Sequence, residues 1–303
     1  VGGGRMVYLD VSHLPQGTKD KLKAILEIYE KFTGDDPTEV PMKIFPAVHY
    51  SMGGLYTVFT EQEKEAVPGD GDVVIGMKDG DPSNMMTNIP GLFAFGEVNY
   101  QYHGGTRLGA NALLNCIFDG LYCGPSLVNY AKTARKTPAS EVPQAVIDKY
   151  VAQEKAKCDA LINSKGSANP YDIWRRLGDE MTAAATVVRT EERMVQALET
   201  VKKLREEYKD VCLSDTGMWT NQNLSFTRAL NDMLIYAEAI LVPAIARKES
   251  RGSHYRPDFP ERVDDPFQKT SIVKFVDGQP ELSYEDVATP MVPPRARTYG
   301  KTS

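Results

Sequence analysis

Apolar positions along this chain follow two spacings, and the change between them falls near residue 108. Over residues 1–100 the apolar runs are short. "MVYLDV", "KIFPAVHYS", "GLYTVFT", "DVVIGM" and "GLFAFGEV" read as strands, with a Met52-Gly53-Gly54 turn between the second and third. One amphipathic helix interrupts them, "TKDKLKAILEIYEKFTG", closed by Gly34. From 108 to about 249 the spacing becomes helical, and helices are expected near 108–123, 143–162, 171–187, 190–208 and 223–247. Met194, Val195, Leu198, Val201 and Leu204 mark one buried stripe. "SKGSANPYD" at 164–172 reads as a linker. After 250 the chain turns polar and proline-rich, with a hairpin expected from "SIVKFV" and "PELSYE". The pattern predicts a mixed α/β (α+β) chain without an internal repeat.

Composition narrows the class. A chain of 303 residues can bury a large core, in two units. Its 42% hydrophobic and 25% charged residues are ordinary for a globular protein. A net charge of −6 argues against nucleic acid as the main partner. The best membrane candidate, "AEAILVPAIA" at 237–246, falls short of the ~20 residues a span requires and contains Pro243. Any membrane location is therefore expected to come through partners. Cys116, Cys123, Cys158 and Cys212 show no CxxC pair and no histidine at metal-ligand spacing, so neither a metal site nor a disulfide framework is expected. They read as buried or partly buried thiols in a reducing compartment, with Cys116 and Cys123 packing on one helix face. The opening "VGGGRMVYLD" has no initiator methionine and no signal-peptide pattern, and the chain is expected to be a fragment or a processed product.

The chemistry concentrates at 103–116, "HGGTRLGANALLNC". Glycines let a backbone take positive φ and let other atoms approach closely. Arginine offers a planar fork of donors suited to a carboxylate or phosphate. Leu108, Ala112, Leu113 and Ile117 follow at helical spacing, so the loop is expected to deliver Arg107 to a helix start, where anions are favoured. Of the four histidines, His49 stands where a strand-like run meets a double-glycine turn, a position more often structural than functional. His103 is four residues before Arg107, and His254 sits in the charged, aromatic run "ESRGSHYRPDFPER". No GxSxG, P-loop or HExxH motif is present.

"HYSMGGL" at 49–55, "GLFAFGEVNYQYHGGTRLGANALLNC" at 91–116 and "RKESRGSHYRPDFPERVDD" at 247–265 resemble the flavoproteins of succinate dehydrogenase and fumarate reductase. Order and spacing agree across nearly the whole chain. The "YQYHG" stretch is similar to the branch in Gram-positive and related bacteria, while L-aspartate oxidase is the nearest rival within the superfamily. The resemblance implies an FAD-binding domain split by a capping domain and followed by a helical domain. Residues 1–40 then correspond to the end of the capping domain and 41–125 to the returning C-terminal segment of the FAD-binding domain. Residues 126–249 correspond to the helical domain and 250–303 to a C-terminal extension with a β-hairpin. The N-terminal half of the flavin domain and the family's proton-shuttle arginine fall before Val1, so this chain is expected to hold part of an active site.

By the same resemblance His49, Arg107 and Ala110 bind the dicarboxylate substrate, and Glu97, Ala112 and Leu113 contact FAD. The chain departs from the family at Ala112, where serine is usual, at Thr106, usually asparagine, and at Gly105, usually alanine. Implied partners are an iron–sulfur subunit and a membrane-anchor subunit, at the cytoplasmic face of a bacterial plasma membrane. Two other readings stand at this point: an L-aspartate oxidase-like flavoenzyme, and a non-catalytic helical interaction fragment in which 126–249 is the functional part.

Overall fold

The computed structural model describes residues 7–44, 48–62, 65–66, 73–74, 76–133, 142–287 and 289. Two compact units divide between His49 and Tyr50, namely Val1–His49 and Tyr50–Ser303.

In the first unit, β1 (Val7–Leu9) pairs antiparallel with β2 (Met42–Ile44), and α1 (Gln16–Thr33) lies between them in sequence. The helix ends as the sequence predicts: Gly34 takes φ +76 and its N–H bonds Glu30 O, a turn a side chain would strain. Val11, Leu26 and Met42 form a small core with Leu14, Leu22 and Tyr29 against it. The Tyr29 hydroxyl also accepts the Lys43 N–H at 2.9 Å, tying helix to strand.

The second unit opens with short strand pairs. β3 (Thr57–Val58) pairs with β6 (Met86–Thr87), and β4 (Glu65–Ala66) with β5 (Val73–Val74). The run "GLFAFGEV" is not the strand its apolar content predicts. Phe93 makes a single bridge to Met86, and Gly96–Val98 then winds into a 3-10 turn. The cause is tertiary. Gly96 sits at φ +70 and gives its N–H to the Asp119 carboxylate, which removes it from any ladder. The run "KIFPAVHYS" likewise supplies only β2, and its residues 45–47 lie outside the described residues.

The helix expected at 108–123 starts at Ala112 and runs to Thr133: α2 (Ala112–Phe118), a π turn at Asp119–Cys123, then α3 (Gly124–Thr133). Its start is late because Ala110, at φ +64, is left-handed and cannot belong to it. The π turn lies directly before Pro125. Proline lacks an N–H and crowds the carbonyl four residues back, and a widened turn relieves both.

The helical part matches the sequence closely, with α4 (Gln144–Ile162), α5 (Pro170–Ala185), α6 (Glu191–Tyr208) and α7 (Gln222–Ala246). Each of the last three starts at a capping side chain. Asn169 accepts from Tyr171 N–H, Thr190 from Arg193 N–H and Asn221 from Leu224 N–H. Ile173, Met194, Val201, Leu204, Leu230 and Leu234 are fully buried where these helices meet. The buried stripe of α6 includes Ala197, and Val195, expected on it, is 42% exposed.

The expected linker at 164–172 is pinned instead. The Ser164 hydroxyl donates to Val211 O at 2.6 Å, Cys212 N–H to Ala168 O at 3.0 Å, and an added Cβ on Gly166 would stand 1.9 Å from Asp210 O. Helix α7 continues through Pro243 and, by length and composition, is apolar enough to cross a membrane, contrary to the sequence expectation. One face of it packs into the bundle: Leu230, Leu234 and Leu241 are buried, and buried Glu238 pairs with Arg205 at 2.8 Å. The last elements among the described residues are the short helix α8 (Asp264–Phe267) and the hairpin of β7 (Lys269–Val276) with β8 (Gln279–Asp286), paired as the sequence predicts. Cys123 is buried, but Cys116 is exposed, so the expected packing of that pair holds for one member only.

Candidate functional site

Arg107 stands between two backbone reversals. His103 and Gly104 both take positive φ, +68 and +52, and the Thr106 N–H returns to His103 O at 3.2 Å. Ala110 then turns left-handed before Asn111 opens the helix. The Arg107 guanidinium lies over the ring of Tyr50, 5.6 Å from its centroid, and Nη1 donates to Leu108 O at 3.1 Å. His103 meets the same ring at 5.0 Å in an edge-on arrangement. The Tyr50 hydroxyl is 3.0 Å from the side-chain amide of Asn115, which is buried in α2. Burial raises the pKa of Tyr50, so the ring is a neutral plate between helix and loop.

Glu97 reaches the same neighbourhood from the 3-10 turn. Its carboxylate is exposed and accepts the Ser51 N–H at 3.0 Å. Asp119, fully buried in the π turn, accepts from Gly96 N–H, from the Tyr102 hydroxyl and from the Cys123 thiol. One carboxylate therefore ties the Glu97 turn, the loop before Arg107 and the helix after it. Burial and then Asp119 raise the Tyr102 phenol and push the Cys123 thiol up to about 12, so both remain protonated donors. A side chain at Gly96 would be strained by its φ of +70 and crowded, since an added Cβ would meet Cys116 Sγ at 3.0 Å.

Ala112 is half-buried and Leu113 is 74% exposed in the first turn of α2. Around Gly104 and Gly109 an added Cβ would meet nothing within 4 Å. An open glycine backbone, an apolar side chain at the helix start and an exposed carboxylate fit a flavin dinucleotide, whose flat ring needs apolar contact and whose hydroxyls need acceptors. Among the sequence-predicted residues, Arg107, Ala110, Ala112 and Leu113 share one loop and helix start, and Glu97 joins them through Asp119. His49 is exposed at the end of the first unit. A cavity between α4, α6, α7 and the β7–β8 turn shares no residue with this site, and its Arg205, Lys202 and Lys209 are each paired with a glutamate.

Sequence reasoning missed Tyr50, Tyr102, Asn115 and Asp119. Asp119 carried a signal, as the one charge inside the apolar run "NALLNCIFDGLYC". Tyr50 carried none beyond its place beside His49.

The FAD binding domain model matches residues 1–113, and the fumarate reductase flavoprotein C-terminal model matches 174–299. The succinate dehydrogenase flavoprotein subunit of Bacillus subtilis is 41% identical over 99% of this chain and 48% of its own length. The fumarate reductase flavoprotein subunit of Escherichia coli is 32% identical over 98% of this chain and 45% of its own length. A solved chain of E. coli quinol fumarate reductase superposes with TM-score 0.77 at 30% identity, over 96% of this chain and 46% of that one. The chain thus spans about half the length of the curated relatives it matches. In both its FAD-binding and its C-terminal parts, the chain is similar to the flavoprotein subunits of succinate dehydrogenase and fumarate reductase.

Proposed function

We propose that the flavoprotein of which this chain forms a part interconverts succinate and fumarate, with Arg107 and His49 holding the dicarboxylate, Ala110 contacting it through its backbone, and Glu97, Ala112 and Leu113 contacting the cofactor. The observation that carries this reading is the presentation of Arg107 between two left-handed reversals, stacked on Tyr50 and followed by an apolar helix start. A dicarboxylate needs strong donors at both ends. The planar fork of Arg107 matches one carboxylate, and His49 donates a hydrogen bond to the same substrate. Bound FAD supplies a two-electron hydride acceptor. The residues of this chain orient the substrate carbon toward it.

Residues 1–40 are read as the end of the capping domain, 41–125 as the returning FAD-domain segment, 126–249 as the helical domain and 250–303 as the extension. Electrons are taken to pass to an iron–sulfur subunit, with a membrane-anchor subunit holding the complex at the cytoplasmic face of the plasma membrane.

Arg107→Lys in the full-length flavoprotein keeps the charge and loses the fork. It is expected to lower kcat/KM for succinate by about 100-fold or more with FAD still bound, since small misplacements at the reacting centre have that effect. Near wild-type kcat/KM overturns the assignment.

A further inference from the structure

The motif "RKESRGSHYRPDFPERVDD" supplies none of the residues assigned to substrate or cofactor, yet it contains the densest charge network among the described residues. Glu249 is fully buried and accepts from Arg247 Nη1 at 2.8 Å, Arg251 Nε at 2.7 Å and the Val263 N–H at 2.8 Å. Arg251 also reaches Asp264 at 2.8 Å. Arg256, fully buried, pairs with Asp258 and Glu191 and donates to the carbonyl of Ile245 at the end of α7. His254 lies 2.9 Å from Arg189 through Nδ1 and donates Nε2–H to Arg247 O at 3.1 Å. Arg251 and His254 exchange backbone bonds at 2.9 and 3.0 Å, so residues 251–254 form a tight turn fixed on all sides.

The outer face of that turn touches the Arg107 loop. Ser253 N–H donates to Gly105 O at 2.8 Å, and the Ser253 hydroxyl donates to the Thr106 hydroxyl at 3.1 Å across 147 residues of sequence. Gly252 stands at φ +59, and an added Cβ would be 2.2 Å from Gly105 O and 2.9 Å from Thr106 N. On the other side, an added Cβ on Gly105 would meet Arg251 Cγ at 3.2 Å. The two turns fit backbone to backbone, directly before Arg107, in a loop where a Cβ added at Gly104 would meet nothing within 4 Å. A loop with two left-handed reversals has little rigidity of its own, so its orientation depends on what it rests on.

We propose that the Arg251-Gly252-Ser253 turn is a positioning element for Arg107: the ion-pair network holds the turn, and the Gly252 contact and the Ser253–Thr106 hydroxyl pair set the direction in which the guanidinium faces the substrate. The proposal rests on the reading of Arg107 as the carboxylate-binding arginine. Ser253 and Thr106 act through Arg107 and touch no substrate.

The test uses the full-length flavoprotein in its assembled complex, with malonate affinity read from the flavin absorbance change, alongside KM and kcat for succinate and FAD occupancy. Ser253→Ala is expected to weaken malonate binding and raise KM roughly fivefold, the worth of one hydrogen bond. Thr106→Val does the same, and the double variant is no worse than either alone, because both remove one contact. Ser253→Thr restores the wild-type values, and Gly252→Ala gives the largest loss of affinity. A turn with a merely structural role lowers the fraction of active enzyme and leaves malonate affinity untouched. Unchanged affinity in Ser253→Ala, or additive losses in the double variant, overturns the proposal while Arg107→Lys still abolishes malonate binding. If Arg107→Lys itself binds malonate normally, the carboxylate reading and this proposal fall together. Should Gly252→Ala not fold, Ser253→Ala and Thr106→Val decide.

Discussion

The bundle of α5, α6 and α7 and the stretch from Tyr50 to Thr133 are held together by different forces. In the bundle most of the buried side chains are apolar, with Asn223, Thr227 and Glu238 on α7 the buried polar ones. Ile173, Met194, Leu204, Leu230, Leu234 and Leu241 are all inaccessible, and each helix turns its stripe toward the other two. In the second stretch the buried groups include Thr57, Asn84, Asn99, Asn115 and Asp119, while Leu113, Leu114, Ile117 and Leu121 are between 57% and 74% exposed. Asn99 is typical of these buried groups, accepting from Thr57 and Gln101 and donating to Ala94 O. Directed hydrogen bonds hold the loops in place, and a contiguous apolar face stays open on the helix. A region complete in itself buries its apolar stripes internally. A region that is one part of a larger layer leaves a face to be covered, which accords with a chain about half as long as its relatives.

The comparison breaks most decisively in the bundle. Leu234→Ala is expected to cost about 2–5 kcal/mol, the range for deleting a fully buried leucine. Urea unfolding followed by circular dichroism measures it. A cost as small as that of a surface substitution would mean the bundle is not the self-sufficient part.

A smaller effect sharpens the junction between the two regions. Burial, reinforced by the charges of Arg189, Arg247 and Arg256 and opposed by the bond to Arg247 O, lowers the pKa of His254 to about 4. The folded state therefore holds this ring neutral where the unfolded chain, with a pKa of about 6.5, begins to bind a proton. The associated stability is fully present above about pH 6.5 and is lost as pH falls from there toward 4. Thermal melts across that window should show a steeper loss for the wild type than for His254→Gln. Parallel curves would remove the ring from the network.

The smallest effect belongs to the open face. Leu113→Ser or Ile117→Ser in this 303-residue chain should change stability by no more than about 0.5 kcal/mol, because neither side chain gives up buried contacts. The same changes in the full-length protein should cost more, if the face is covered there. Equal, small effects in both, measured by denaturant midpoint, would show that nothing packs on it.

Much of the helical part could be read directly. The apolar spacing of α5, α6 and α7 and their capping residues Asn169, Thr190 and Asn221 are local signals that the packing then uses unchanged. The hairpin at the end was equally plain, since its strands are adjacent and joined by Asp277-Gly278. The strand-like "GLFAFGEV" misled because its apolar content is satisfied by a turn that a distant aspartate holds. Val195 misled by its apolarity: the face that packs is Met194, Ala197, Val201 and Leu204 at helical spacing, and Val195 lies one residue off it.

The sequence by itself determined where the helices of the bundle form and stop, and that one arginine stands in a glycine-rich loop before a helix. Those are properties of neighbours within one or two turns, where spacing and backbone freedom are enough. Only the tertiary structure decided that Asp119 reaches back to the Glu97 turn, that Tyr50 lies under Arg107, and that Ser253 meets Thr106. These contacts join residues from 23 to 147 positions apart. Each is a single directed contact, and single contacts leave no periodic trace along a chain.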